Sequence, residues 1–252
     1  MATGTLLLET VLLAVIVFLI TSAGNVVNDY YDIETDRINR PERPLPSGEI
    51  GIVAALVLAV FLFASGIILA LFTTILCLAI AIFNSALLAC YAAWLKRTPL
   101  LGNIAVSYLS ASIFLFGGAF IGIEGVIQVA PIAVITFFAM LSRELFKDAE
   151  DVVGDSATGA STLPIRIGVK KTACIAFACL VGAVSASIVP SLWWGPWYIA
   201  GILPIDLALL AAGIRPIRCD TPDCIKATKA TSLLKYPMFA SLAVFTAAAI
   251  LL

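Results

Sequence analysis

From Gly51 to Leu95 the chain carries no charged residue. A run like that leaves water as a whole. In hydrocarbon its backbone N–H and C=O groups must then be satisfied internally, which leaves helices or a closed barrel. A barrel would show alternating segments of about ten residues, whereas this chain shows continuous apolar blocks. The run is too long for one membrane helix of about 20 residues and splits into roughly 50–71 and 74–95. Six further runs follow the same rule, near 6–24, 99–121, 126–146, 170–190, 197–213 and 233–252. The expectation is an all-α, polytopic transmembrane helix bundle of eight spans, one domain over residues 1–252. With 62% apolar and 12% charged residues, against about 25% charged in soluble domains, no water-exposed globule is possible.

The basic residues orient the bundle. Arg37, Arg40 and Arg43 follow the first span, and Lys96 and Arg97 follow the third. Arg143, Lys147, Arg166, Lys170 and Lys171 lie around the end of the fifth. Arg215, Arg218, Lys226, Lys229 and Lys235 follow the seventh. These are all 15 Lys and Arg of the chain. The opposite loops hold none, so the positive-inside rule places the odd-numbered loops in the cytoplasm of a multi-pass plasma-membrane protein. Trp193, Trp194, Trp197 and Tyr198 fall at the opposite interface, where an aromatic belt is expected.

Net charge is −1, so nothing draws the chain to nucleic acid. His is absent, which excludes imidazole bases and imidazole metal ligands. Cys219 and Cys224 flank a polar loop but lack the two further ligands of a zinc site. The other four Cys lie in apolar spans and read as small hydrophobes.

The acids are concentrated at two span ends. Asp29, Asp32 and Asp36 are spaced i, i+3, i+7, and Asn28, Asp32 and Asp36 i, i+4, i+8; each set shares one helical face. Asp148, Asp151 and Asp155 repeat the first spacing after span 5. One acidic run beside a span is ordinarily just solvated. Two with matched spacing, both on the cytoplasmic side and each starting inside a span, point to a site, because carboxylates at membrane depth are costly. Two such rows meeting across a bundle repel and need a cation. Oxygen-only ligands suit Mg²⁺, Mn²⁺ or Ca²⁺. Mg²⁺ completes its shell with substrate phosphates, so a diphosphate bridged by two Mg²⁺ is the simplest ligand. Arg43, Lys96, Arg97 and Lys147 are the cations at hand for phosphate oxygens. Asn84 and Asn103 read as packing hydrogen-bonders. Asp206, in span 7, is an intramembrane acid and so a further site candidate.

Asn28-Asp29-x-x-Asp32-x-x-x-Asp36 resembles the first aspartate-rich motif of the UbiA superfamily of intramembrane prenyltransferases. Asp151-Val-Val-Gly-Asp155 is similar to its second, D-x-x-x-D, and Gly159-Ala-Ser-Thr162 to the Gly-x-x-Ser-Thr segment after it. Arg40-Pro-x-Arg-Pro-Leu-Pro-Ser-Gly48 and Lys96-Arg-Thr-Pro-Leu-Leu-Gly-Asn103 also fit. The resemblance spans about 20–170. The segment Arg143 to Asp155 looks most like the archaeal branch. There are two departures. Family members usually have nine spans, one more before the first motif, and the Tyr usually four residues before the motif Lys is replaced by Ala92, with Tyr91 one position off.

The resemblance implies that Asn28, Asp32, Asp36, Asp151 and Asp155 hold two Mg²⁺ ions, supported by Asp29 and Asp148. Asp32, Asp36, Asp151 and Asp155 would be catalytic. Lys96, Arg97, Arg43, Lys147 and Tyr91 would bind the diphosphate of a prenyl donor. In the archaeal branch the donor is geranylgeranyl diphosphate, the acceptor is geranylgeranylglyceryl phosphate and the product is an ether-lipid precursor. An aromatic acceptor, as in quinone or haem pathways, is the alternative within the family. A CDP-alcohol phosphotransferase would need its acids in a D-G-x-x-A-R context, which is absent. A divalent-cation transporter would place its acids at mid-membrane in broken helices; only Asp206 lies there.

Overall fold

The computed structural model describes residues 2–157 and 159–251. Among these every regular element is helical: α1 (Ala2–Tyr31), α2 (Ile33–Asn39), α3 (Ile52–Ala70), α4 (Ile75–Ala93), α5 (Leu101–Ile121), α6 (Ile123–Ala157), α7 (Leu163–Ile167), α8 (Val169–Ala186), α9 (Ser191–Ile214), α10 (Pro222–Thr228), α11 (Ala230–Leu233) and α12 (Lys235–Leu251). Eight of the described segments are long and apolar enough to cross a membrane. Two helices outrun their expected ends. α1 continues to Tyr31, since nothing between Ala23 and Asn28 breaks it. α6 continues to Ala157, because no proline lies between Pro131 and Ala157 and the first glycine beyond the helix start with a left-handed φ is Gly159. At 35 residues, α6 is about 52 Å long, far more than the roughly 30 Å of hydrocarbon. Its last turns, which hold the second carboxylate row, therefore stand clear of the apolar layer.

The chain divides into two compact units, Met1–Lys96 with Ser112–Gln128, and Arg97–Ala111 with Val129–Leu252. In the first, α1 packs on α3 and α4 around Ile16, Ile20, Ala70, Cys77, Ala81, Phe116 and Ala119. The helices approach closely because the buried face of α3 is Ala55, Ala59, Gly66 and Ala70, the small-residue stripe that membrane helices use in place of a hydrophobic driving force. A Cβ on Gly66 would lie 2.7 Å from Ile20 Cγ1. Thr74 caps α4 by accepting from the Cys77 N–H at 3.2 Å and donates to the Ala119 carbonyl at 2.7 Å. The segment after α2 is a bonded turn: Ser47 N–H donates to the Arg43 carbonyl (2.9 Å) and Ile50 N–H to that of Pro44 (3.0 Å).

In the second unit, α9 packs on α8 and α12, with Gly213 seated against Leu180. Gly195 takes a left-handed φ of 65° and interrupts α9. The aromatic group near it divides accordingly. Trp193 and Trp197 stay exposed, as a belt requires. Tyr198 is buried, packs on Trp194 and Phe245, and donates to the Ser187 carbonyl at 3.0 Å. Ser187 in turn donates to Asp206 Oδ2 at 2.6 Å, which gives that acid its partner. Cys219 and Cys224 form a disulfide, a pairing the missing-ligand argument did not address.

Candidate active site

The first carboxylate row keeps its helical face through a local break. Asp32 sits between α1 and α2 with φ −97° and ψ 0°, the sparsely used bridge region where active-site residues recur. The i→i−4 ladder continues across it, from Asp32 N–H to the Asn28 carbonyl (3.0 Å) and from Asp36 N–H to that of Asp32 (2.8 Å). The row then divides between two cations. Lys96 Nζ donates to Asp32 Oδ1 at 2.6 Å and to Asn28 Oδ1 at 3.2 Å, and Asn28 Nδ2 donates to Asp32 Oδ2 at 2.9 Å. Arg43 Nη1 donates to Asp36 Oδ2 at 2.7 Å and to Asp29 Oδ1 at 3.1 Å. Asp36 is buried, and its bond to Arg43 pushes the guanidinium above its ordinary range. The Pro44–Leu45–Pro46 turn and α3 wall a pocket of about 110 Å³ beside Asp29, Asp36 and Arg43. The prolines fix the turn that carries Arg43 back over the row.

The second row lies on the last turns of α6. Asn103, itself buried, donates from Nδ2 to Asp148 Oδ2 at 2.9 Å. The buried Thr162 hydroxyl lies beside the Asp155 carboxylate. The loop bearing it is held by Ser161 N–H donating to the Arg97 carbonyl at 3.0 Å, and by Arg166 Nε donating to Ser161 Oγ at 2.9 Å. Asp151 and Lys147 are exposed. On another face of α6, Glu150 accepts from Thr231 Oγ1 at 2.6 Å.

The sequence-derived set is therefore placed in two groups. Asn28, Asp29, Asp32, Asp36, Arg43 and Lys96 are brought together in the first unit, and Asp148, Asp151 and Asp155 in the second. Arg97 is exposed and enters the second group through its carbonyl. Tyr91 is half-buried on α4. Asn103 makes the packing hydrogen bond its sequence context suggests, and its partner is the candidate ligand Asp148. Asn84 packs likewise, donating to Ser112 Oγ at 2.8 Å.

Among the described residues no three acids gather into a ready-made metal cluster. The donors nevertheless fit Mg²⁺ chemistry. They are all oxygens, they come one helical turn apart, and Mg²⁺ needs only one or two carboxylates with waters and phosphate completing its octahedron. Zinc, which prefers nitrogen and sulfur, finds neither here.

Residues 1–246 match the family model of the UbiA prenyltransferase family. The chain belongs to that family. It is 56% identical over 251 residues to the digeranylgeranylglyceryl phosphate synthase of Methanoculleus marisnigri, covering 99% of this chain and 90% of the relative. Against the synthase of the same name from Methanoregula boonei it is 57% identical, with 100% and 90% covered. A solved structure concerned with digeranylgeranylglyceryl phosphate synthase in membranes superposes with a TM-score of 0.86 at 35% identity, covering 98% of this chain and 87% of that one. A UbiA homologue from Archaeoglobus fulgidus, bound to GPP and Mg²⁺, shares the fold with a TM-score of 0.70 at 20% identity, with 94% and 87% covered. The protein is thus an α-helical membrane prenyltransferase of the UbiA fold.

Proposed function

We propose that the protein transfers the geranylgeranyl group of geranylgeranyl diphosphate to the free hydroxyl of geranylgeranylglyceryl phosphate, forming the second ether of an archaeal lipid core. The observation that carries this reading is the first carboxylate row, laid out on one helical face with Lys96 and Arg43 in hydrogen-bond contact. Oxygen donors and phosphate-seeking cations stand together there at the end of a membrane helix. The relatives' shared name, which gives digeranylgeranylglyceryl phosphate as product, supports this donor and acceptor, and the Mg²⁺ and GPP of the Archaeoglobus fulgidus homologue support the donor class.

In this reading Asn28, Asp32, Asp36, Asp151 and Asp155 hold Mg²⁺, with Asp29 and Asp148 in support. When bound, Mg²⁺ neutralises the charge that builds on the departing diphosphate. Lys96 and Arg43 exchange carboxylate oxygens for phosphate oxygens, Lys96 as a point charge and Arg43 through its planar fork. Arg97, Lys147 and Tyr91 complete the diphosphate contacts. The bond from C1 of the prenyl chain to the diphosphate oxygen breaks, and the acceptor oxygen bonds to C1. The acceptor proton passes to a carboxylate or to the released diphosphate. Apolar helix walls keep water from the allylic cation formed between these events. The basic loops support a site on the cytoplasmic side of the membrane.

The test is prenyl transfer with labelled geranylgeranyl diphosphate in detergent or native membranes, with Mg²⁺ or EDTA. Geranylgeranylglyceryl phosphate and several aromatic acceptors are offered side by side. The expected result is a Mg²⁺-dependent diether. An aromatic product overturns the acceptor assignment. No product with any acceptor overturns the reading as a whole.

A further inference from the structure

A second cavity has no carboxylate of either row in its lining. In the second unit, α6, α9 and α12 enclose a groove of about 420 Å³, within the range of about 300–1,000 Å³ typical of small-molecule sites. Its walls are apolar, formed by residues such as Ile135, Met140, Ile202, Leu209 and Leu242. Three charged side chains line it: Arg143, Lys235 and Asp206.

Chain direction sorts these charges. α6 and α9 run the same way across the membrane, being odd-numbered spans, and α12 runs back. Arg143, near the far end of its groove segment, and Lys235, which begins α12, therefore share one mouth, the end at which the basic loops gather. Arg143 is paired with Glu144, but a guanidinium has five N–H donors and this contact engages one nitrogen. Asp206, buried and bonded to Ser187, lies further along the apolar wall and repels an anion placed there. A negative head is thus favoured at the mouth and disfavoured deeper in, while a hydrocarbon tail is favoured throughout.

We propose that this groove binds one phosphate-headed membrane lipid, its phosphate at Arg143 and Lys235 and one chain along α6, α9 and α12. This lipid is not the reacting acceptor. On α6 the groove residues Ile135, Ala139 and Arg143 lie, on average, about 150° around the helix from Asp148, Asp151 and Asp155. A lipid in the groove presents its head away from that row. Its role is to hold three helices that carry few polar contacts to one another, and it does so whichever acceptor the carboxylates serve.

The experiment uses the purified full chain in dodecyl maltoside, titrated with dioleoyl phosphatidic acid or with uncharged dioleoylglycerol, reading Tm. Phosphatidic acid at a hundredfold excess over its Kd is expected to raise Tm by about 5–10 °C. The rise should persist in Lys235→Arg and vanish in Lys235→Gln, and dioleoylglycerol should produce little. An equal rise in Lys235→Gln, or with dioleoylglycerol, overturns the proposal. If Lys235→Gln does not fold, the wild-type chain is photolabelled with a phosphatidic acid carrying a diazirine at its chain end. Adducts concentrated on the α6, α9 and α12 groove walls sustain the proposal, and adducts spread over the exposed apolar surface overturn it.

Discussion

Lys96 Nζ donates to Asp32 Oδ1 at 2.6 Å across 64 residues of chain, and both side chains are mostly buried, at 13% and 27% exposed. An ammonium placed so close to a carboxylate of the first motif is the group best positioned to meet a diphosphate there. Lys96→Ala is therefore expected to raise the KM for the prenyl diphosphate by about tenfold or more, since hydrogen bonds to charged groups contribute about 1.5–3 kcal/mol. Steady-state kinetics at saturating acceptor measure it. An unchanged KM would leave Lys96 as a membrane anchor only.

The carboxylates are argued to bind metal, so their loss should abolish chemistry more than folding. Asp32→Ala and Asp151→Ala are each expected to reduce turnover by at least about a hundredfold, the scale on which single electrostatic catalytic contacts act. Asp151→Ala, at an exposed position, should keep the parent's Tm, and Asp32→Ala, which strands the mostly buried Lys96, should lower it yet still unfold cooperatively. EDTA should reduce turnover likewise in the unaltered chain, with Mg²⁺ restoring it. Near-normal turnover in both variants would end the metal-site reading.

Asn103 is the position at which the structure adds most to the sequence. Its amide holds Asp148 Oδ2 at 2.9 Å, which fixes the carboxylate's orientation without touching substrate. Partners behind a metal ligand typically contribute 10–100-fold in metal affinity or activity. Asn103→Ala should accordingly raise the Mg²⁺ concentration for half-maximal rate by about tenfold and leave the KM for the prenyl diphosphate at saturating Mg²⁺ much less changed. A Mg²⁺ titration of the rate decides it; an unaltered curve would return Asn103 to simple packing.

How much of this was legible beforehand follows from what spacing encodes. The i, i+3, i+7 pattern states that Asp29, Asp32 and Asp36 share a face, and the bonded path through Asp32 keeps that face intact. Uncharged runs set the number of spans, and the clustering of every Lys and Arg into alternate loops gives the direction expected of them. Contacts between distant turns have no such code. Nothing in one sequence says which turn of α5 meets Asp148, or that Ser187 supplies the hydrogen bond to Asp206. Tyr198 reads as an interfacial aromatic beside three tryptophans, and only the break at Gly195 turns it inward. Hydropathy understates the length of α6, because the apolar run ends at the membrane surface whereas the helix does not.

Backbone crowding at the α5–α6 turn gives a stability prediction. A Cβ on Gly125 would lie 2.4 Å from the Gly118 carbonyl oxygen, a backbone atom that cannot step aside. Gly125→Ala should destabilise by about 1–3 kcal/mol, as overpacking does. Gly117, with nothing within 4 Å of its would-be Cβ, is the control. Gly117→Ala should be neutral or stabilising by up to about 1 kcal/mol from helix propensity. Thermal unfolding of both in one detergent measures the difference, and equal Tm values would contradict the packing of this turn.

The orientation rests on charge alone and admits a direct check. Positions 38 and 157 follow the first and fifth spans, and position 124 lies at the opposite end of α6 from 157. In a background freed of the native cysteines, Ile38→Cys and Ala157→Cys should react with a membrane-impermeant maleimide only after the cytoplasmic face is opened. Glu124→Cys should react in intact cells. The basic loops demand this outcome, because fifteen Lys and Arg on one side and none on the other leave a single favourable insertion. Labelling of 38 and 157 from opposite faces would mean that the count of spans between them is wrong by one. It would also separate the two aspartate rows by the width of the membrane, which no shared diphosphate could bridge.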